Sequence, residues 1–353
     1  MFGEMHMKAQ ELLHQLDEKK ILSLEEFTYL IDHREEIREE AAKISRAYAD
    51  HYYGKCIFPR GLVEFSNICK NDCYYCGIRG GNQNCKRFRL SKEEILDACQ
   101  SGYALGYRSF VFQSGEDGYF DIDRMEDIVR AFRQMFPECA LTLSIGELDY
   151  DRYKRLFDAG ADRYLLRHET ADEEHYRKLH PESMSLSYRK QCLYDMKEIG
   201  YHVGTGFMVG SPYQTSETLA KDLTFIHELD PQMVGIGPFI PHHDTKFKDC
   251  PTGTVEMTTF LLSLIRIMKP NVLLPATTAL VTLDPEGREK AILAGANVMM
   301  PNLSPEHAKK EYNLYDNKQH SGNEAAQNIG RLKERFAKIG YELTFSRGDY
   351  KEA

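Results

Sequence analysis

No stretch of the 353-residue sequence approaches the ~18 consecutive apolar residues of a membrane-spanning helix. The opening MFGEMHMKAQELLHQL is amphipathic and lacks the continuous apolar core of a signal peptide. A cytoplasmic location with no membrane partner is therefore expected. Also missing is any Lys/Arg-rich block. With 54 acidic against 45 basic side chains and a formal net charge of −9, the chain lacks the clustered cations that bind phosphate backbones, so nucleic acid is excluded as its main partner. A 42% hydrophobic and 28% charged composition excludes disorder and fits a soluble enzyme. Cysteine is sparse and mostly solitary: Cys56, Cys85, Cys99, Cys139, Cys192 and Cys250 stand singly, as reduced thiols of a cytosolic protein do.

The other three cysteines stand together in Cys69-Lys-Asn-Asp-Cys73-Tyr-Tyr-Cys76, a C-x3-C-x2-C spacing with an aromatic directly before the last thiol. Structural zinc takes four ligands, usually in two separated pairs, and no second pair follows within the next hundred residues. An iron–sulfur cubane also takes four thiolates. Three leave one iron open to a small chelating molecule, which is what reductive cleavage of S-adenosylmethionine (SAM) requires. The loop thus points to a [4Fe-4S] cluster held by Cys69, Cys73 and Cys76, and to SAM.

Residues 1–58 place apolar side chains at helical intervals (Leu12, Leu13, Leu16; Phe27, Leu30, Ile31), and Ser23 with Glu26 forms a capping box. From Gly61 the pattern becomes β-rich runs alternating with helical stretches: 62–65, 109–113, 140–144, 163–166, 203–209, 232–236, 272–276 and 297–300. Eight runs at a repeat of about 30 residues match a (β/α)8 barrel of ~250 residues, with an open doubly wound sheet as the alternative. The expected organisation is an amino-terminal helical extension (1–58), the α/β barrel (59–302) and a carboxy-terminal segment closing it (303–353). Gly106, Gly160, Gly200 and Gly295 fit helix C-caps ahead of strands.

In a barrel the carboxyl ends of the runs share one mouth. The cysteine loop follows the first run, Gln113-Ser-Gly-Glu-Asp117 the second, Ser144-Ile-Gly-Glu147 the third and Arg167-His-Glu-Thr170 the fourth. Arg167 is the most informative, because a charge late in an apolar run needs an anion or an ion-pair partner, either a bound ligand or Glu147 or Glu169. His242 and His243, adjacent on one strand, would point apart and suit a loop surface better than a metal.

The cysteine loop, QSGED, SIGE, RYLLRHETAD, MVGIGPFIPH and PATTA together resemble the HydE family, the radical SAM maturases of [FeFe] hydrogenase, over nearly all of residues 60–316. The resemblance implies that a 5′-deoxyadenosyl radical is made from SAM at the cluster. It implies that Gln113, Ser114, Gly115 and Glu116 hold the methionine end, that Tyr75 lines the adenine side, and that Ser144, Glu169 and Arg189 contact the remaining SAM atoms. Without that role Arg189 would be an ordinary surface helix residue. Thr142, Arg167, Thr277, Met300, Tyr312 and Tyr315 would border the substrate cavity. The implied substrate is an organometallic iron complex bearing carbon monoxide, cyanide and cysteine, with the other hydrogenase maturases HydG and HydF as partners. Many relatives carry a second cluster in the segment corresponding to Tyr315 to Ile329, which here has no cysteine and only His320, so no second cluster is expected. Alternatives on the same scaffold are a carbon-skeleton mutase of the methylornithine synthase type, a biotin synthase type of sulfur insertion, and a non-catalytic iron–sulfur scaffold.

Overall fold

A computed structural model describes residues 2–318 and 328–352. Six strands, Gly61–Ser66, Ser109–Ser114, Ala140–Ser144, Arg163–Leu165, His202–Thr205 and Met233–Val234, pair in that order, all parallel. Parallel bridges from Met233 to Leu273, from Pro275 to Val298 and from Leu62 to Asn302 carry the ladder round to the first strand. The eight β-rich runs are thus the eight staves of a closed α/β TIM-type fold. The first four are buried over nearly their whole length, the signature of a parallel sheet covered on both faces.

The helices between strands are apolar on the side that meets the sheet. Ile122–Met135 buries Met125, Ile128, Val129 and Phe132 at the i, i+3, i+4, i+7 positions. Each such side chain contributes roughly 1.5–3 kcal/mol by leaving water. Asp121, Asp149 and Asp172 cap three of these helices through the N3 amide, and the four glycines expected as C-caps have φ between +104° and +119°. The run 203–209 is not one strand. It breaks at Gly206, where a Cβ would stand 1.9 Å from the Gly235 carbonyl oxygen, and Met208–Val209 pairs instead with Gly237–Pro238 as a separate ribbon at the mouth.

The amino-terminal helices Phe2–Lys19, Leu24–Asp32 and Arg38–Tyr53 pack on the outside of the barrel. The second rests on Ser216–Leu229 and the third on Val255–Met268. Val255–Met268 is consequently covered on two sides, which explains its unbroken buried run from Phe260 to Met268. Below the barrel, Cys56–Pro59 pairs with Val298–Met299 and Glu342–Leu343, and Asp349 of the tail pairs with buried Arg163 at 2.7 Å. No helix among the described residues is long and apolar enough to cross a membrane.

Candidate active site

The cysteine loop is held against the second strand end by backbone contact. Gly115 N–H donates to Ser66 O (3.0 Å), Lys70 N–H to Glu116 O (3.0 Å), and Glu116 N–H points at Cys69 Sγ (3.4 Å). Only glycine permits this approach, since a Cβ on residue 115 would lie 2.3 Å from Ile68 O and 2.8 Å from Cys69 Cβ. From inside the loop, the Arg87 guanidinium donates to the carbonyls of Asn67, Ile78, Arg79 and Asn82 at 2.7–3.1 Å, satisfying four acceptors that no regular element pairs.

All three thiols of the loop face one cavity of about 370 Å³. Burial pushes the Cys76 thiol up to about 12 and raises Cys69 and Cys73, with the neighbouring sulfurs adding to the shift of Cys73 and Cys76. The raised thiols keep their protons at neutral pH, and a metal cluster would replace them.

Every residue named as a cluster, SAM or substrate contact lines this cavity except Thr142, which is buried two positions before Ser144 on the same strand face. Glu169 reaches the cavity through a left-handed backbone (φ +65°), pinned by its amide on Gly206 O at 3.1 Å. Arg189 is buried, not a surface helix residue. Its Nε lies 2.8 Å from Glu147 Oε1 and donates to Tyr176 Oη (3.2 Å), while Nη1 donates to Arg167 O (2.9 Å). Of the two carboxylates open to Arg167, Glu169 is the ion-pair partner, at 3.0 Å. The Tyr75 hydroxyl sits 3.1 Å from His180 Nε2 and is its donor, because His180 Nδ1 is spent on Tyr176 O and burial pushes that imidazole down to about 3, keeping it neutral.

Several buried polar atoms of these walls lack an aligned protein hydrogen bond: Glu116 Oε2, Arg167 Nε and Nη2, Glu169 Oε2 and Thr277 Oγ1. Ion-pair distances such as 3.0 Å for Arg167–Glu169 coexist with this, since the charges are close but their donors and lone pairs do not line up. Unsatisfied buried donors and acceptors of both charge types are what a zwitterionic ligand completes. Three thiols beside them suit a cluster with an open iron. The residues present fit both groups.

The sequence did not signal Glu64 and Lys318. Both are almost wholly buried in the cavity wall and pair at 2.5 Å, with Asn302 Nδ2 on the other Glu64 oxygen (2.7 Å) and Tyr312 O on the lysine (2.8 Å). Gln113 Nε2 meets Tyr312 Oη at 3.4 Å on the same wall. The expectation that His242 and His243 point apart is overturned. They lie in a turn and not a strand, their rings stack at 4.3 Å, and both approach Asp316, at 3.9 and 2.6 Å. His243 bonds Asp316 through its amide (2.9 Å) and Nδ1 (2.6 Å), a clasp between two mouth loops, and the ligand atoms of the trio lie within 4.8 Å of one another. His320 lies outside the described residues.

Comparison with known proteins agrees with this geometry. Residues 63–226 match the radical SAM superfamily. The [FeFe] hydrogenase maturase subunit HydE of Thermotoga maritima is 41% identical over 88% of this chain and 89% of its own length. The 3-methylornithine synthase of Methanosarcina acetivorans is 28% identical over 88% of this chain and 85% of its own length. The crystal structure of methylornithine synthase (PylB) superimposes with a TM-score of 0.80 at 25% identity, covering 94% of this chain and 97% of that one. This chain belongs to the HydE family and is a radical SAM enzyme.

Proposed function

We propose that this enzyme acts in maturation of the [FeFe]-hydrogenase cluster, in the cytoplasm, on a mononuclear iron complex carrying carbon monoxide, cyanide and cysteine. The observation that carries the reading is the identity of 41% to a HydE maturase across nearly the whole of both chains. The cavity supports it. Arg167 presents buried, unaligned N–H groups beside Thr277 and Met300, a setting for an anionic iron complex.

When bound, the cluster and SAM would supply one-electron cleavage of the sulfonium S–C5′ bond. In this reading Cys69, Cys73 and Cys76 hold the cluster. Glu116 and the backbone of Gln113 to Gly115 hold the ammonium of SAM, Arg189 its carboxylate, Glu169 its ribose, and Tyr75, fixed by His180, its adenine. Glu147 keeps Arg189 in place, and Arg167 with Tyr312 and Tyr315 orients the iron complex away from water. The same reading has a single cluster per chain, with about four irons after anaerobic reconstitution. Six or eight would show a second site.

The test is production of an [FeFe] hydrogenase in a host that supplies the partner maturases HydG and HydF. Active hydrogenase is expected only when this protein is present and not with Cys73→Ala. Full activity with Cys73→Ala would refute radical catalysis. SAM cleavage without any hydrogenase activation, using matched partners, would refute the maturase reading in favour of the mutase.

A further inference from the structure

The loop at the end of the fourth strand carries two of the charges that face the cavity, Arg167 and Glu169, on alternate residues. Between and after them, the chain turns the other way. His168 is fully buried on the far side of the loop, its Nδ1 2.8 Å from Thr205 Oγ1 and its Nε2 3.2 Å from Asp222 Oδ1. Asp222 is equally buried, on the helix Ser216–Leu229, and the same Oδ1 accepts the Ala171 amide at 2.5 Å. One carboxylate oxygen thus grips the loop at two points that bracket Glu169. Glu169 needs such a grip, because a glutamate at φ +65° is strained and returns to a right-handed or extended backbone unless its flanks are fixed.

We infer that Asp222, acting through His168 and the Ala171 amide, is a positioning residue that holds Glu169 in its left-handed conformation, and Arg167 beside it, ready for ligand. It touches neither ligand itself. Burial pushes the Asp222 carboxyl up and the His168 imidazole down, so the geometry of the two hydrogen bonds to Oδ1 is what holds the loop. An amide at 222 keeps an acceptor oxygen toward His168 and Ala171 and should serve nearly as well as the acid. An apolar side chain should not. The inference rests on the reading of Glu169 as a SAM contact, and the experiment separates the two.

The holoenzyme, reconstituted to parental iron content, would be titrated with SAM and binding followed by the change in the spectrum of the reduced cluster. Glu169→Ala tests the underlying reading and should weaken SAM binding. Asp222→Leu should weaken it about tenfold, the scale of a reacting group misplaced by part of an ångström, while Asp222→Asn stays within about threefold of the parent. If Asp222→Leu does not fold, His168→Leu removes the same clasp from the loop side and carries the same expectation. Weak binding in Glu169→Ala with parental binding in Asp222→Leu or His168→Leu overturns the inference and leaves Asp222 a packing residue. Equal loss in Asp222→Asn and Asp222→Leu also overturns it. Parental binding in Glu169→Ala overturns the SAM-contact reading on which it rests.

Discussion

Gly115→Ala is a one-carbon probe of how the cysteine loop is seated. The added Cβ would stand 2.3 Å from Ile68 O and 2.8 Å from both Ile68 C and Cys69 Cβ. Carbon and carbonyl oxygen ordinarily meet at ~3.3 Å, so relief demands a shift of about 1 Å in backbone that leads directly into the first ligand. Overpacking of that kind costs about 1–3 kcal/mol. The larger consequence is geometric, because metal–ligand distances tolerate only ~0.2 Å. Cys69 should leave register with Cys73 and Cys76. Iron and sulfide per chain after anaerobic reconstitution are therefore expected to fall below half of the parent value, and SAM cleavage with them. Gly118→Ala, three residues along the same loop, is the control, since its Cβ meets nothing within 4 Å, and it should load normally. Parental iron content and SAM cleavage in Gly115→Ala would refute the claim that this contact sets the cluster geometry.

Two further predictions concern the loops around the mouth. The Asp117 carboxylate, buried, accepts from Arg89 Nε (2.7 Å) and Nη2 (2.9 Å), Ser66 Oγ (2.7 Å) and Tyr119 N (3.0 Å), so Asp117→Ala should lower unfolding free energy by about 2–4 kcal/mol in urea titrations at neutral pH. Burial alone would raise this carboxyl, but Arg89 and Ser66 outweigh it and hold it below the ordinary range; the deficit of the variant should be full above pH ~4 and shrink as pH falls through the lowered value. His243 is raised by its hydrogen bond to Asp316, so the clasp is complete below pH ~6.5 and lost as pH rises through the elevated pKa. In an NMR titration Asp316→Asn should lower the His243 midpoint, with Asp244 at 3.3 Å still raising it, and an unchanged midpoint would show that the Asp316 contact is absent in solution.

The fold was legible because its determinants are local. Each stave is a β-rich run, most helices between staves have a side-chain cap or a glycine stop, and Gly106, Gly160, Gly200 and Gly295 take the positive φ that only their lack of a Cβ makes cheap. The cysteine loop and the polar strand ends were legible for a similar reason: once eight runs are counted, the barrel places their carboxyl ends together. What could not be read is what depends on contact between distant segments. Glu64 and Lys318 are 254 positions apart and each resembles a surface charge until the chain closes. His180 gains its meaning only from Tyr75, 105 positions earlier, and Asp222 from Ala171, 51 earlier. The break at Gly206 was hidden because Val203 to Val209 has the composition of a single strand, and the reason it breaks, the Gly235 carbonyl, lies in the next stave. His242 and His243 misled for the complementary reason: alternation holds for strands, and these residues sit in a turn.

In the proposed function the cavity between the three thiols and Arg167 receives an iron-bound cysteine. The most direct measurement of this is the rate of 5′-deoxyadenosine formation by the reduced, reconstituted enzyme when supplied either with a mononuclear iron complex of cysteine, carbon monoxide and cyanide or with a mixture of the common amino acids. The iron complex should accelerate SAM consumption in the parent and not in Arg167→Met, whose slow uncoupled cleavage should remain. Acceleration by the amino acids instead, with 3-methylornithine appearing as product, would contradict it.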